Sequence, residues 1–255
     1  MDEVFGPLYA DVYDALYHEK DYDEECDVIK SILETYGEGP IKSILDLGCG
    51  TASHSIRLAA QGYRVAGVDR SRMMLEIAQT KAEAQNVSVS FHHGDIKTIN
   101  LGETFDAALV MFAVLGYQIK NEDVIQTLRN IRTQIKKGGL LIFDVWYGPA
   151  VLIQKPSEKI KIIDIEESKI IRLSSGILDT FRHVCRVRFK VYKIEKKQLL
   201  DETFEEHEVR FFFPQELAFF LQSSGFQLIH MGPFPSYNGE LNETTWNTLV
   251  IAKGV

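Results

Sequence analysis

Apolar and polar positions over residues 41–149 alternate between two rhythms. Short apolar runs at 41–47, 64–69, 87–93, 105–112 and 138–146 read as strands, and stretches of helical period at 53–61, 71–85 and 122–136 lie between them. Strand, helix, strand repeated in this way predicts a parallel sheet with right-handed crossovers and helices on both faces. The last helix ends in Lys136-Lys137-Gly138-Gly139, cations followed by a glycine stop. Residues 1–40 read as helical, with Tyr9, Tyr13 and Tyr17 recurring on one helical face as a lid. From about residue 150 the period changes to two. Phe181, His183, Cys185, Val187, Phe189 and Val191 alternate with Arg182, Val184, Arg186, Arg188, Lys190 and Tyr192, which predicts an antiparallel strand with one buried face. Residues 160–166, 170–174 and 203–213 follow the same rhythm. The chain is therefore expected to carry a helical lid (1–40), a core (41–149), an antiparallel β insertion over the core's ligand edge (150–213), and a closing helix (214–224) with two strands at 226–231 and 244–252.

In a parallel sheet ligands sit beyond the carboxyl ends of the strands, where the chain order reverses. Gly48, Asp69, Asp95 and Met111 all fall at such exits. The first exit reads Asp46-Leu47-Gly48-Cys49-Gly50-Thr51, and the strand after it closes on Asp69. Glycines there let backbone approach a ligand, and an acid closing the second strand suits ribose hydroxyls. The series Gly48-Cys49-Gly50-Thr51-Ala52-Ser53 lacks the third glycine of a dinucleotide fingerprint, and no phosphate-loop Gly-Lys-Ser/Thr is present. An adenosine-containing cofactor other than a dinucleotide fits best. A nicotinamide-dependent oxidoreductase on a similar sheet is the competing enzyme reading, and a cofactor-binding regulatory protein without turnover the competing non-enzyme reading.

Composition narrows the partners. The 255 residues carry a net charge of −8, so a polyanion meets repulsion and nucleic acid is disfavoured. Cys26, Cys49 and Cys185 have neither paired nor metal-type spacing, and no metal is expected. Met1-Asp2-Glu3 has the wrong charge for a signal peptide, and the apolar run 140–143 is cut by Asp144, so a cytoplasmic chain without a membrane span is expected.

Together Asp46–Thr51, Asp69 and Gly94-Asp95 resemble the cofactor motifs of class I S-adenosylmethionine-dependent methyltransferases. That resemblance implies an α/β fold: a seven-stranded, Rossmann-like, doubly wound sheet, mostly parallel with the last strand antiparallel. It also implies S-adenosylmethionine as cofactor, bound by Asp46 among others, with Gly48 and Gly50 at its methionine end and Asp69 on the ribose. Asp95 and the Ile96 amide would take the adenine, and Arg70, Met74 and Met111 would complete the seat. Narrower stretches, Tyr9–Asp14, Met111–Tyr117, Val145-Trp146 and Glu206-His207-Glu208, look like N-methyltransferases of nucleotide-linked aminosugars and relatives of glycine N-methyltransferase. The aminosugar enzymes tend to carry histidine where this chain has Tyr117. The acceptor implied is a small amine or hydroxyl compound such as a sugar nucleotide, met by a monomer or weak homodimer. Candidate catalytic residues are Tyr13, Tyr17, Tyr117 and His207, with Trp146, Arg182 and Arg186 also on the acceptor side. Tyrosine faces suit a sulfonium, although the same row also suits plain packing. His207 can titrate near neutrality or sit at the surface, and the two arginines can grip a phosphate or carboxylate or face solvent.

Overall fold

The computed structural model describes residues 6–165 and 168–255; Met1-Asp2-Glu3 and Glu166, used in the readings above, lie outside the described residues. Two helices open the chain, α1 (Pro7–Leu16) and α2 (Tyr22–Tyr36). Pro7 suits the first turn of α1 because its missing N–H needs no partner there. Asp21 caps α2 by accepting from the Glu24 amide at 2.8 Å.

The core follows as β1 (Ser43–Leu47), α3 (Ser53–Ala60), β2 (Arg64–Asp69), α4 (Arg72–Ala84), β3 (Val89–His93), β4 (Phe105–Val110), α5 (Asn121–Gln134) and β5 (Ile135–Trp146). After α6 (Gly148–Gln154) come β6 (Lys159–Ile165), β7 (Ser168–Asp179), β8 (Val184–Glu195) and β9 (Gln198–Arg210). Then α7 (Pro214–Ser223), β10 (Phe226–Pro233) and β11 (Asn247–Gly254) complete the chain. Seven strands form one sheet in the order β10-β11-β5-β4-β1-β2-β3, with β11 antiparallel to both neighbours and the other pairs parallel. The predicted mostly parallel sheet with an antiparallel last strand is thus what forms. The order reverses between β1 and β4, so a crevice opens at their carboxyl ends.

Both faces of this sheet are covered. Cys26, Ile29, Ile32 and Leu33 of α2 pack with Ile44, Leu109 and Ile251 on one side. Val124, Leu128 and Ile131 of α5 and Leu217, Phe220 and Leu221 of α7 pack with Leu45, Ala108 and Val250 on the other. Each such fully buried aliphatic side chain is worth about 1.5–3 kcal/mol, which is why the core strands are apolar on both faces.

A second, four-stranded antiparallel sheet, β6-β7-β8-β9, carries helix α1: Leu8, Tyr9, Val12 and Leu16 pack with Ile163, Ile170 and Val191. The tyrosine helix therefore rests on this covering sheet rather than on the core sheet. Among the described residues no helix is long and apolar enough to cross a membrane.

Several boundaries differ from the pattern-based expectation. The predicted helix 122–136 stops at Gln134, because buried Ile135 pairs with Phe105 and Lys136 is drawn to Asp106 at 2.6 Å, so the two lysines open β5 instead of ending α5. Phe181, expected on a buried strand face, is 95% exposed in the β7–β8 turn, where His183 takes a left-handed φ of 56° and delays the strand to Val184. The predicted strand 203–213 ends at Arg210. Phe211 and Phe212 leave it to be fully buried, Phe212 bridging Tyr147. Helix α6 was not foreshadowed by any periodicity.

Candidate active site

The turn after β1 is built from left-handed residues: Gly48 at φ 78°, Gly50 at 55° and Ala52 at 63°. The Gly48 and Cys49 amides both donate to the Val68 carbonyl, at 2.7 and 3.0 Å, which folds the turn back onto β2. A Cβ on Gly48 would meet Val114 Cγ1 at 2.6 Å, so glycine is required there by packing as well as by φ. A Cβ on Gly50 would meet nothing within 4 Å: its face is open to the cavity. Asp69 stitches the two loops, accepting from the Gly50 amide through Oδ2 and the Ser71 amide through Oδ1, each at 2.8 Å. Burial raises its pKa, and the Ser71, Gly50 and Arg70 amides oppose that rise. Asp46 accepts from Ser55 Oγ at 2.5 Å beneath the turn. A side cavity of about 80 Å³ continues from Gly48 and Asp69 to Arg70, Asp95, Ile96 and Tyr117. Asp95 shapes that wall by accepting from the Lys97 amide at 2.8 Å.

Next to this cleft lies a chamber of about 310 Å³, bordered by the glycine turn, Asp69, Met74, Met111 and a set of rings. The rings of Tyr13 and Tyr17 stand 4.8 Å apart, and Phe112 meets Tyr17 edge-on at 5.0 Å. Trp146 and Trp246, 5.4 Å apart, form another part of the wall, with Val187, Phe189 and Val209 of the covering sheet above. Phe112 and Ala113 are consecutive left-handed residues (φ 68° and 56°), a strained pair held by Asp144, both of whose carboxylate oxygens accept from the Ala113 amide at 3.1 Å. Burial raises the Asp144 pKa against the opposing effects of the Ala113 amide and Lys20. Tyr117 lines both cavities, and burial pushes its phenol well above the usual range, which keeps it protonated. Two tethers hold the N-terminal helices over the turn. Thr51 Oγ1 donates to Asp14 at 2.6 Å and Lys81 reaches the same carboxylate at 2.8 Å; Glu25 joins Lys20 to His54, the latter at 2.7 Å.

Of the residues singled out from sequence, Asp46, Gly48, Gly50, Asp69, Met74, Met111, Tyr13, Tyr17, Tyr117 and Trp146 border the chamber. Arg70, Asp95 and Ile96 border the side cavity. His207 does not line the chamber. It is 5% exposed, 3.0 Å from Glu205 Oε2, and edge-on to Tyr117 at 6.0 Å, one layer behind the wall. Arg182 and Arg186 lie outside as well, in an exposed ladder with Glu206 and Glu208. Sequence reasoning missed Asp144, whose signal was an acid within an apolar run, gave Phe189 only as one of an alternating strand face, and missed Trp246 and Asn247, which carry no local signal.

Comparison with known proteins places these features. A methyltransferase domain family model matches residues 44–139. The Bacillus subtilis protein YqeM, described as a methyltransferase, is 33% identical over 221 residues, 86% of this chain and 85% of its own. The dTDP-4-amino-2,3,4,6-tetradeoxy-D-glucose N,N-dimethyltransferase of Saccharopolyspora spinosa is 28% identical over 240 residues, 92% of both chains. The crystal structure of an S-adenosylmethionine-dependent methyltransferase from Clostridium acetobutylicum shares the fold with a TM-score of 0.83 at 21% identity, over 96% of this chain and 97% of its own.

Proposed function

The chain belongs to the class I S-adenosylmethionine-dependent methyltransferases, and from that footing we propose that it methylates an amine of a small molecule, with an amino sugar as the leading acceptor class. The open face of Gly50 beside the Asp69 carboxylate is a cradle that a side chain would fill, and it fits the cofactor. Gly48 and Gly50 take its methionine end, Asp69 the ribose hydroxyls, and Asp95 with the Ile96 amide the adenine. Arg70, Met74 and Met111 complete that seat.

When bound, S-adenosylmethionine supplies a methyl on a sulfonium: the amine lone pair bonds to that carbon, the carbon–sulfur pair stays on sulfur, and the product ammonium releases one proton. Tyr13, Tyr17 and Phe112 offer ring faces to the positive charge as it passes from sulfur to nitrogen, an attraction of about 0.5–2 kcal/mol per ring. The N-terminal helices and the covering sheet exclude water and align the acceptor in line. Tyr117 orients it by donating a hydrogen bond.

One observation favours an amine over a hydroxyl. A hydroxyl needs a base in the chamber, whereas an amine can deprotonate after transfer; the bordering carboxylates each already hold a donor, Asp46 from Ser55, Asp69 from Gly50 and Ser71, Asp144 from Ala113, and the bordering imidazole of His54 is tied to Glu25 at 2.7 Å. The Saccharopolyspora relative, an aminosugar N,N-dimethyltransferase by name, supports the same acceptor class. His207 serves as a positioning residue through Tyr117. The reading includes a cytoplasmic monomer or weak homodimer, for which gel filtration is the check on assembly.

The test is mass spectrometry of a mixed panel of amines, amino sugars and their hydroxyl counterparts after incubation with S-adenosylmethionine. One or two methyl groups on amine nitrogen are expected. Transfer confined to hydroxyl oxygen would overturn the reading.

A further inference from the structure

The inner chamber opens into a second cavity of about 430 Å³. Tyr17, Trp146, Val187, Phe189 and Trp246 border both spaces, so a largely aromatic neck joins them. Beyond the neck the chemistry changes sign. Lys155, Lys159 and Arg172 line the outer cavity together with the hydroxyls of Ser174 and Ser175, and among the described residues bordering it none is aspartate or glutamate. The whole chain has 36 acidic against 28 basic side chains, so this wall runs against the average charge of the molecule. A concave wall of one sign focuses the field onto whatever enters it.

Arg172 is the centre of that wall. Its Nη1 donates to the Tyr17 hydroxyl at 3.1 Å, and its guanidinium lies over the rings of Tyr17 and Phe189 at 5.3 and 5.4 Å. Its Nε is buried without any hydrogen-bond partner. No carboxylate of the described residues forms an ion pair with Arg172, Lys155 or Lys159. A half-buried guanidinium with an orphaned donor and no counter-charge is costly unless an anion completes it. Its planar fork matches an oxyanion with two parallel hydrogen bonds. The register of the covering sheet puts it there: Arg172 pairs with Val191 on β8, one strand from the β9 residues that roof the inner chamber.

We propose that the outer cavity is an oxyanion subsite and that the acceptor is an amine carrying a phosphate. The phosphate rests on Arg172, with Lys155 and Lys159 at the mouth, while the amine passes the aromatic neck toward the chamber. Arg172 is thereby a specificity-determining residue. Its hydrogen bond to Tyr17 connects a filled anion subsite to a ring of the inner chamber, so that neutral amines of the same shape bind less well. The substrate assignment rests on the amine methyltransferase reading above; the anion subsite itself is tested apart from it.

The probe is inorganic pyrophosphate, titrated calorimetrically into the full chain with and without S-adenosylhomocysteine. Binding is expected at physiological salt, weakening as salt rises. Arg172→Gln should weaken it at least tenfold, Arg172→Lys should recover part of the loss, and the double variant Lys155→Gln/Lys159→Gln should lose less. S-adenosylhomocysteine affinity should stay within about twofold in every variant, which shows that they fold. Tighter binding of UDP than of pyrophosphate, with the same dependence on Arg172, assigns the phosphate to a nucleotide-linked acceptor; equal binding assigns it to a simple phosphate ester. Absence of pyrophosphate binding, or equal binding by wild type and Arg172→Gln, overturns the subsite. Failure of S-adenosylhomocysteine to bind while pyrophosphate binds through Arg172 would remove the methyltransferase reading and leave the subsite standing.

Discussion

Replacing Asp69 by asparagine separates its two duties, because the side chain keeps its shape and loses its charge. Both Asp69 oxygens already accept backbone N–H groups, from Gly50 and from Ser71 at 2.8 Å, and the Arg70 amide reaches the same carboxylate. Carboxylates have further lone pairs, and in the proposed complex these receive the two ribose hydroxyls. A hydrogen bond to a charged group is worth about 1.5–3 kcal/mol against about 0.5–1.5 for a neutral pair, so two such bonds lose about 2 kcal/mol of binding. Asparagine also has a single acceptor atom, so its NH₂ must face either Gly50 or Ser71. One backbone donor is stranded in a buried place at about 1–3 kcal/mol, shared between the free and bound protein. The cofactor should therefore bind about thirty- to a hundredfold more weakly, at about 1.4 kcal/mol per tenfold. The midpoint of thermal unfolding should fall by a few degrees, at about 2–4 °C per kcal/mol for a chain of this size. Calorimetric titration with S-adenosylhomocysteine reads the first quantity and a thermal scan the second. An affinity within threefold of wild type beside a lowered midpoint would show that Asp69 only braces the loops, and would refute the ribose assignment.

The two glycines of the turn should respond differently to alanine. Gly48→Ala drives a methyl into Val114 at 2.6 Å and should lower stability by about 1–3 kcal/mol, whereas Gly50→Ala meets open space and should fold with a loss of about 1 kcal/mol while still abolishing tight cofactor binding. Paired unfolding and binding curves give the comparison, and equal cofactor affinity in Gly50→Ala and wild type would count against the seat. Asp144→Ala strands the buried Ala113 amide at a cost of about 1–3 kcal/mol, offset by whatever strain the left-handed pair then sheds; urea unfolding should show a net loss of about 1–3 kcal/mol, and an unchanged midpoint would mean the turn is held by other contacts. For Asp106, burial alone would raise the pKa, but hydrogen bonds from Lys136, Lys42 and Ser43 override it and bring the carboxyl down to about 2. Its stabilisation, about 2 kcal/mol, is complete above the ordinary carboxylate pKa and is lost as pH falls from about 4 through 2, so Asp106→Asn should flatten the acid limb of the stability curve in that window; identical limbs would refute it.

What could be read in the sequence was what is decided locally. The glycine turn, Asp69 and Asp95 each announce themselves within a few residues as strand exits, and the structure sets all of them around two adjoining cavities. The sheet itself was legible since β1 is buried along its whole length, so its apolar run has no competing explanation. The covering sheet is a harder case. Its strands are half-exposed on both faces, and the alternation that marks them as strands does not say where they stop: Phe181 continues the apolar rhythm into a turn and ends in solvent.

His207 shows the same limit from the other side. Glu206-His207-Glu208 looks like surface when read along the chain, yet across the sheet His207 pairs with Val187 and shares its face with Glu205 and Val209, so it is buried while its two acidic neighbours point outward to Arg186 and Arg188. Pairing register, which no local signal specifies, decides which alternate residues become wall. The chamber inherits that dependence. The side proposed for the cofactor comes from strand exits close in sequence, whereas the side proposed for the acceptor is assembled from Tyr17, Trp146, Phe189 and Trp246, residues far apart in the chain and brought together by the docking of one sheet over another. A cofactor seat can for this reason be inferred from a motif, but the acceptor has to be inferred from the charge and shape of the assembled walls. Those walls are aromatic where methyl transfer is proposed and cationic just beyond.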